Sequence, residues 1–157
     1  MIVDPKEQQE VLYILKQLGV VAAATETICE DILSPERLSM GRVMCYRYLC
    51  LNLYLWRGYL SRLEQTSQAD FAKGLLKDFN QKVYKNSDPS HINLLRNCAA
   101  HYDASCDMDV MVAIKRGKRI NLSEYLASYN DIKKYFHEVN WKVGVLYAKL
   151  TGCDFCS

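Results

Sequence analysis

A chain of 157 residues, half of them hydrophobic, has material for one domain with a real core. Charged residues at 24% exclude a disordered polyelectrolyte, and three prolines with seven glycines leave little for the turns of a many-stranded β fold. A formal net charge of +2 is well short of the basic balance of a dedicated nucleic-acid binder, so any such affinity must come from a local patch.

The first helix is expected to begin at Asp4-Pro5-Lys6-Glu7, with Asp4 as cap, Pro5 at the first helical position and Glu7 closing a capping box. Val11, Leu15, Leu18, Val21, Ile28 and Ile32 recur near helical period, with Thr25 and Glu26 as interruptions. Ser34-Pro35-Glu36 ends this helix and starts a second by the same logic, running to about Glu64. That helix carries Leu, Tyr, Met and Cys on more than one side, as a helix central to a bundle does. Its stretch from Val43 to Leu60 is apolar enough to raise a membrane span, but Arg47, Asn52 and Arg57 are costly in a bilayer and favour a buried core helix.

Ser67-Gln68-Ala69-Asp70 opens a third helix with Phe71, Leu75, Phe79 and Val83. Asn86-Ser87-Asp88-Pro89 is a turn and a cap, and a fourth helix follows from about Pro89 to Asp103. Then the period changes. Val110, Val112 and Ile114 alternate, Lys115-Arg116-Gly117-Lys118 turns, and Ile120 and Leu122 alternate again, which reads as a β-hairpin over about 109–122. Its tip gathers Lys115, Arg116, Lys118 and Arg119, the clearest local basic patch, suited either to a phosphate backbone or to a solvated turn. Asn121-Leu122-Ser123-Glu124 is expected to cap a last helix carrying Tyr125, Tyr129, Ile132, Phe136, Val139, Val143, Leu146 and Leu150, with Gly152 to end it. The sum is one all-α domain over 1–157, an up-and-down bundle of four or five helices with a small hairpin insertion.

Seven cysteines, an odd number, fall largely within apolar helical stretches and read as small buried hydrophobes. The first six residues have no basic start leading into an apolar run, so no signal peptide is read and a reducing cytoplasm is the expected setting. Cys153-Asp154-Phe155-Cys156 has redox or metal spacing, but a zinc site wants about four ligands and no second pair exists. A frayed terminus is the simpler account, and no metal or cofactor is expected.

The informative stretch is Leu94-Leu95-Arg96-Asn97-Cys98-Ala99-Ala100-His101-Tyr102-Asp103. Residues four apart share a helix face, so Asn93, Asn97 and His101 form one column, flanked by Ala100 and Ala104. Ile92, Leu95, Ala99 and Tyr102 point the other way, toward a core. Arg96 sits on the flank, about 100° from Asn97, and its long side chain can reach round. Histidine moves protons near neutral pH, and arginine presents a planar fork matched to phosphate oxygens. Together they meet the needs of RNA phosphodiester cleavage without a metal: one group handles the proton of the 2′-hydroxyl or of the leaving oxygen, and the other stabilises the pentacoordinate phosphate.

Arg96-Asn97-x3-His101 resembles the Arg-x4-to-6-His signature of the HEPN superfamily (higher eukaryotes and prokaryotes nucleotide-binding). In that family a polar residue often follows the arginine, and the motif lies on a late helix of a four- or five-helix bundle. The resemblance implies a metal-independent endoribonuclease, often a toxin or antiviral effector, that leaves 2′,3′-cyclic phosphate and 5′-hydroxyl ends. It implies Arg96 and His101 as the catalytic pair and Asn97 as support. It also implies a homodimer joined through the motif helix, RNA as substrate, and an antitoxin or nucleotidyltransferase partner. One toxin branch carries a tyrosine two residues after the histidine. Here that place is Asp103, and the tyrosine is Tyr102, one place early.

Asn93, Tyr102, Lys115, Arg116, Lys118 and Arg119 are further candidates for contact with RNA. His91 sits in the first turn of the motif helix, and His137 in the last helix reads as structural or exposed. Tyr46, Tyr48, Tyr54 and Tyr59 can stack on bases but at helical spacing are better explained as packing. Two other readings stand beside the nuclease: a non-catalytic nucleotide-, RNA- or protein-binding HEPN module, and a structural helical domain that assembles through its alanine-lined face.

Overall fold

The structure, a computed structural model, describes residues 4–34, 39–86, 88, 91–101, 112–115 and 118–152, with side chains at 39–43, 98–101 and 112–115 left aside. Five helices are present among them: α1 (Pro5–Leu33), α2 (Ser39–Leu63), α3 (Ala69–Lys82), α4 (Ile92–His101) and α5 (Tyr129–Thr151). Strands β1 (Val112–Lys115) and β2 (Lys118–Asn121) pair antiparallel, with Val112 opposite Asn121 and Lys115 opposite Lys118. The protein is all-α with this small hairpin; Val110 and the Arg116-Gly117 tip lie outside the described residues.

Helix α1 starts where Asp4 accepts a hydrogen bond from the Lys6 N–H at 3.1 Å, with Pro5 at its first position. Glu7 does not close the expected capping box. Its Oε1 accepts from the Ser67 N–H at 2.9 Å, tying the start of α1 to the α2–α3 connection. The inward stripe of α1 runs Val11, Ile14, Leu15, Leu18, Val21, Ala22, Thr25, Cys29 and Ile32, at three- and four-residue steps. Thr25 belongs to it because its hydroxyl donates to the Val21 carbonyl at 2.7 Å and so costs little to bury. Among the described helices α1 is the one long and apolar enough by composition to cross a membrane. Between Val11 and Thr25 its one charge is Lys16.

Helices α5 and α2 flank α1. The pairs Glu30–Lys133 and Glu26–His137 show that α5 runs antiparallel to α1. At the other end of α1, Glu10 pairs with Arg62 of α2. Helix α2 touches α1, α3 and α4, and buries Cys45, Tyr46, Leu49, Cys50, Leu53, Trp56, Leu60 and Leu63. Each fully buried leucine or aromatic contributes on the order of 1.5–3 kcal/mol. Trp56 stands edge-on to Phe136 of α5, with ring centroids 5.1 Å apart.

The sequence boundary of α5 needs correction. Asn121 caps only a 3₁₀ turn, Leu122–Glu124, its side chain accepting from the Ser123 N–H at 3.0 Å. The next residues are captured by the end of α3: the Lys85 N–H donates to the Tyr125 carbonyl at 2.7 Å, and the Ala127 N–H to the Val83 carbonyl at 2.9 Å. Tyr125 is therefore not in α5. The helix starts at Tyr129, where Ser128 Oγ accepts from the Asp131 N–H at 3.2 Å. It ends at Gly152, whose φ of 72° is the left-handed conformation that suits glycine.

Candidate functional site

Helix α4 is short and lies against α2, with β1 beside it. Its entry is built by a turn. Asn86 Oδ1 accepts from the Asp88 N–H at 2.8 Å, which orients the amide so that its NH₂ meets His91 Nδ1. The other ring nitrogen, Nε2, lies 3.6 Å from an Asp88 carboxylate oxygen. The His91 ring stands edge-on to Tyr125, and its carbonyl accepts from the Tyr84 hydroxyl at 3.3 Å. His91 thus holds the start of α4 in place.

From there the alternation of the helix decides what faces where. Leu94 and Leu95 are fully buried and Ile92 half-buried, so Leu94 joins the expected Ile92 and Leu95 on the docking face. Asn93, Arg96 and Asn97 are exposed. Arg96 and Asn97 sit side by side, and no hydrogen bond or ion pair engages either among the described residues. His101 is the last residue of α4, one turn past Asn97 on the same side of the backbone. The His101 side chain lies outside the described residues, as do the side chain of Ala99 and all of Tyr102.

The hairpin candidates divide in the same way. Lys118 and Arg119 are exposed on β2; the Lys115 side chain and all of Arg116 lie outside the described residues. Because β1 runs beside α4, the hairpin and the motif helix share one side of the molecule. His137 lies on α5, exposed and paired through Nδ1 with Glu26 at 2.9 Å. Tyr46 is buried against Tyr129, with ring centroids 6.0 Å apart, whereas Tyr54 and Tyr59 are half-buried.

Cys29, Cys45 and Cys50 are buried. Cys153 and Cys156 lie outside the described residues. Among the described residues no group of three or more His, Cys, Asp or Glu is placed to hold a metal ion.

One feature escaped the sequence reading. A cavity of about 460 Å³ opens between α2 and the first turn of α4, with Tyr54, Arg57, Gly58, Ser61, Ile92 and Asn93 in its walls. The signal was present in α2: Tyr54, Arg57, Gly58 and Ser61 recur at three- and four-residue spacing, a polar and small stripe on an otherwise apolar helix. Burial pulls the Arg57 guanidinium below its ordinary pKa, with Tyr84 acting the other way. It remains charged at any ordinary pH.

No family model, no curated protein and no solved structure matches the chain.

Proposed function

We propose that the protein is a metal-independent endoribonuclease of HEPN type, with Arg96 and His101 as its catalytic pair and Asn97 as their support. The observation that carries this reading is the exposure of Arg96 and Asn97, unengaged by other described residues, on a helix that ends at His101. A guanidinium kept available in that way serves a phosphate better than a structural ion pair. His101 acts as general acid or base: it takes the 2′-hydroxyl proton as the 2′-oxygen attacks phosphorus, or protonates the departing 5′-oxygen. Arg96 stabilises the charge that builds on the phosphate oxygens. The products are a 2′,3′-cyclic phosphate and a 5′-hydroxyl.

On this reading the setting is cytoplasmic, the role that of a toxin or antiviral effector, and two copies meet along the motif helix. Self-association is helped by the outer face of α2, where Met44, Tyr48 and Leu51 stay 37–50% exposed at helical spacing. The test is cleavage of structured and single-stranded RNA in EDTA by wild type, His101→Ala and Arg96→Ala. Loss of histidine is expected to slow cutting by about 10²–10⁴-fold. Two variants that cut at the wild-type rate would falsify the assignment.

A further inference from the structure

The cavity between α2 and α4 brings aromatic rings and guanidinium groups together in its walls. Among the described residues its walls hold two arginines and no carboxylate. Arg62 is already engaged by Glu10 and lies over the rings of Tyr13 and Tyr59 at 5.7 and 5.9 Å. Arg57 differs. It is half-buried, and its hydrogen-bond partner among the described residues is the neutral Asn80 Oδ1, 3.3 Å from Nη1. A guanidinium has five N–H donors, so most of its fork is unspent. Taking such a cation partly out of water is unfavourable until an anion meets it.

Tyr54 and Tyr59 supply aromatic surface in the same walls, and Asn93 and Ser61 supply hydrogen-bonding groups. The volume, about 460 Å³, lies within the range of small-molecule sites, about 300–1,000 Å³. Gly58 keeps the mouth open: a Cβ built there meets nothing within 4 Å.

We propose that this cavity is a subsite for one nucleoside monophosphate unit, its phosphate on Arg57 and its base against the tyrosines. The proposal rests on the RNA reading of the Arg96–His101 motif and deepens it. Asn93 is both a wall of the cavity and the first member of the column that continues through Asn97 to His101. The column spans about 12 Å along the helix axis at 1.5 Å per residue. A strand seated in the cavity therefore runs toward the motif along the polar side of α4, and the cavity selects which nucleotide lies upstream or downstream of the cut.

Gly58→Phe gives a clean test, because a Cβ at this position meets nothing within 4 Å, the ring adds bulk at the cavity wall, and glycine itself disfavours helices. A short fluorescent 2′-O-methyl oligoribonucleotide, which lacks the attacking hydroxyl, is titrated against the full chain and read by anisotropy. Adenosine 5′-monophosphate, adenosine and inorganic phosphate serve as competitors. Wild type is expected to bind the probe, while Gly58→Phe and Arg57→Gln weaken binding by about tenfold or more. Adenosine 5′-monophosphate should compete better than adenosine or phosphate alone. If it binds as tightly as the oligonucleotide, the occupant is a free nucleotide; if the oligonucleotide binds at least tenfold tighter, it is a strand.

Unchanged oligonucleotide affinity in a folded Gly58→Phe protein, or no binding of either probe to wild type, overturns the subsite. The two ideas fail separately. Cavity-dependent binding without any cleavage upholds the subsite and removes the nuclease, whereas cleavage untouched by Gly58→Phe upholds the nuclease and removes the subsite.

Discussion

The Trp56 indole N–H donates to Tyr135 Oη at 3.3 Å, and the same hydroxyl donates its proton to the Leu75 carbonyl at 3.0 Å. One phenol thereby joins α2, α5 and α3 in the middle of the core, where Trp56 is 0% and Tyr135 3% exposed. Burial pushes the Tyr135 phenol well above its ordinary pKa, so it stays neutral and keeps both bonds at any ordinary pH. Tyr135→Phe preserves the ring, leaves the indole N–H unpaired and returns the Leu75 carbonyl to its helix bond alone. Urea unfolding should show a loss of about 1–3 kcal/mol. Stability equal to wild type would mean that the relay contributes nothing net.

The core also sets an alkaline limit on stability. Burial, opposed by Lys133, raises the Cys29 thiol from 9.0 to about 12. Burial likewise raises Tyr84 from 10.0 to about 12, with Tyr125 adding to it. Both groups hold their protons more tightly when folded. Their contribution is intact below pH 9 and is lost between pH 9 and 12, as the unfolded chain gives up protons that the folded chain retains. Urea midpoints measured across that range should fall with pH, and less steeply in Cys29→Ala. A parallel fall in the variant would remove Cys29 from the effect.

Arg96→Ala separates chemistry from stability. The side chain is exposed and no described residue engages it, so unfolding free energy should stay within about 0.5 kcal/mol of wild type. RNA cleavage by the same preparation should fall by about 10²–10³-fold. A large loss of stability would reveal a structural arginine instead.

The true start of α5 gives a further check. Ser128→Ala removes the hydroxyl that accepts from the Asp131 N–H and should cost about 1 kcal/mol. Asn121→Ala removes a cap from a three-residue turn and should cost less. Thermal melts that rank the two in the opposite order would return the helix start to Asn121.

Much of this was legible in the chain. Asp4-Pro5 opens α1 and Gly152 closes α5, because caps and left-handed glycines act over a few bonds and need no partner elsewhere. The apolar stripes of α1 and α5 follow the helical period, so their inward faces could be read directly. Asn121 misled because Asn-x-Ser-Glu has the local chemistry of a cap. Whether a long helix follows depends on Val83 and Lys85, about 40 residues away, which draw Tyr125 and Ala127 into backbone pairing. Glu7 misled for the same reason, since Ser67 offered its carboxylate a better donor than the capping box.

The motif and the cavity divide along that line as well. The sequence by itself determined an all-α fold and a polar column of Asn93, Asn97 and His101 with Arg96 on its flank, because helix geometry maps residue spacing onto faces without reference to anything else. Tertiary structure alone decided that Arg57, about five helical turns into an apolar helix, would meet Asn80 instead of a carboxylate and would share a cavity with Asn93. Residues 36 positions apart become neighbours only when α4 docks on α2 through Leu94 and Leu95, and periodicity within one helix carries no information about which other helix covers it.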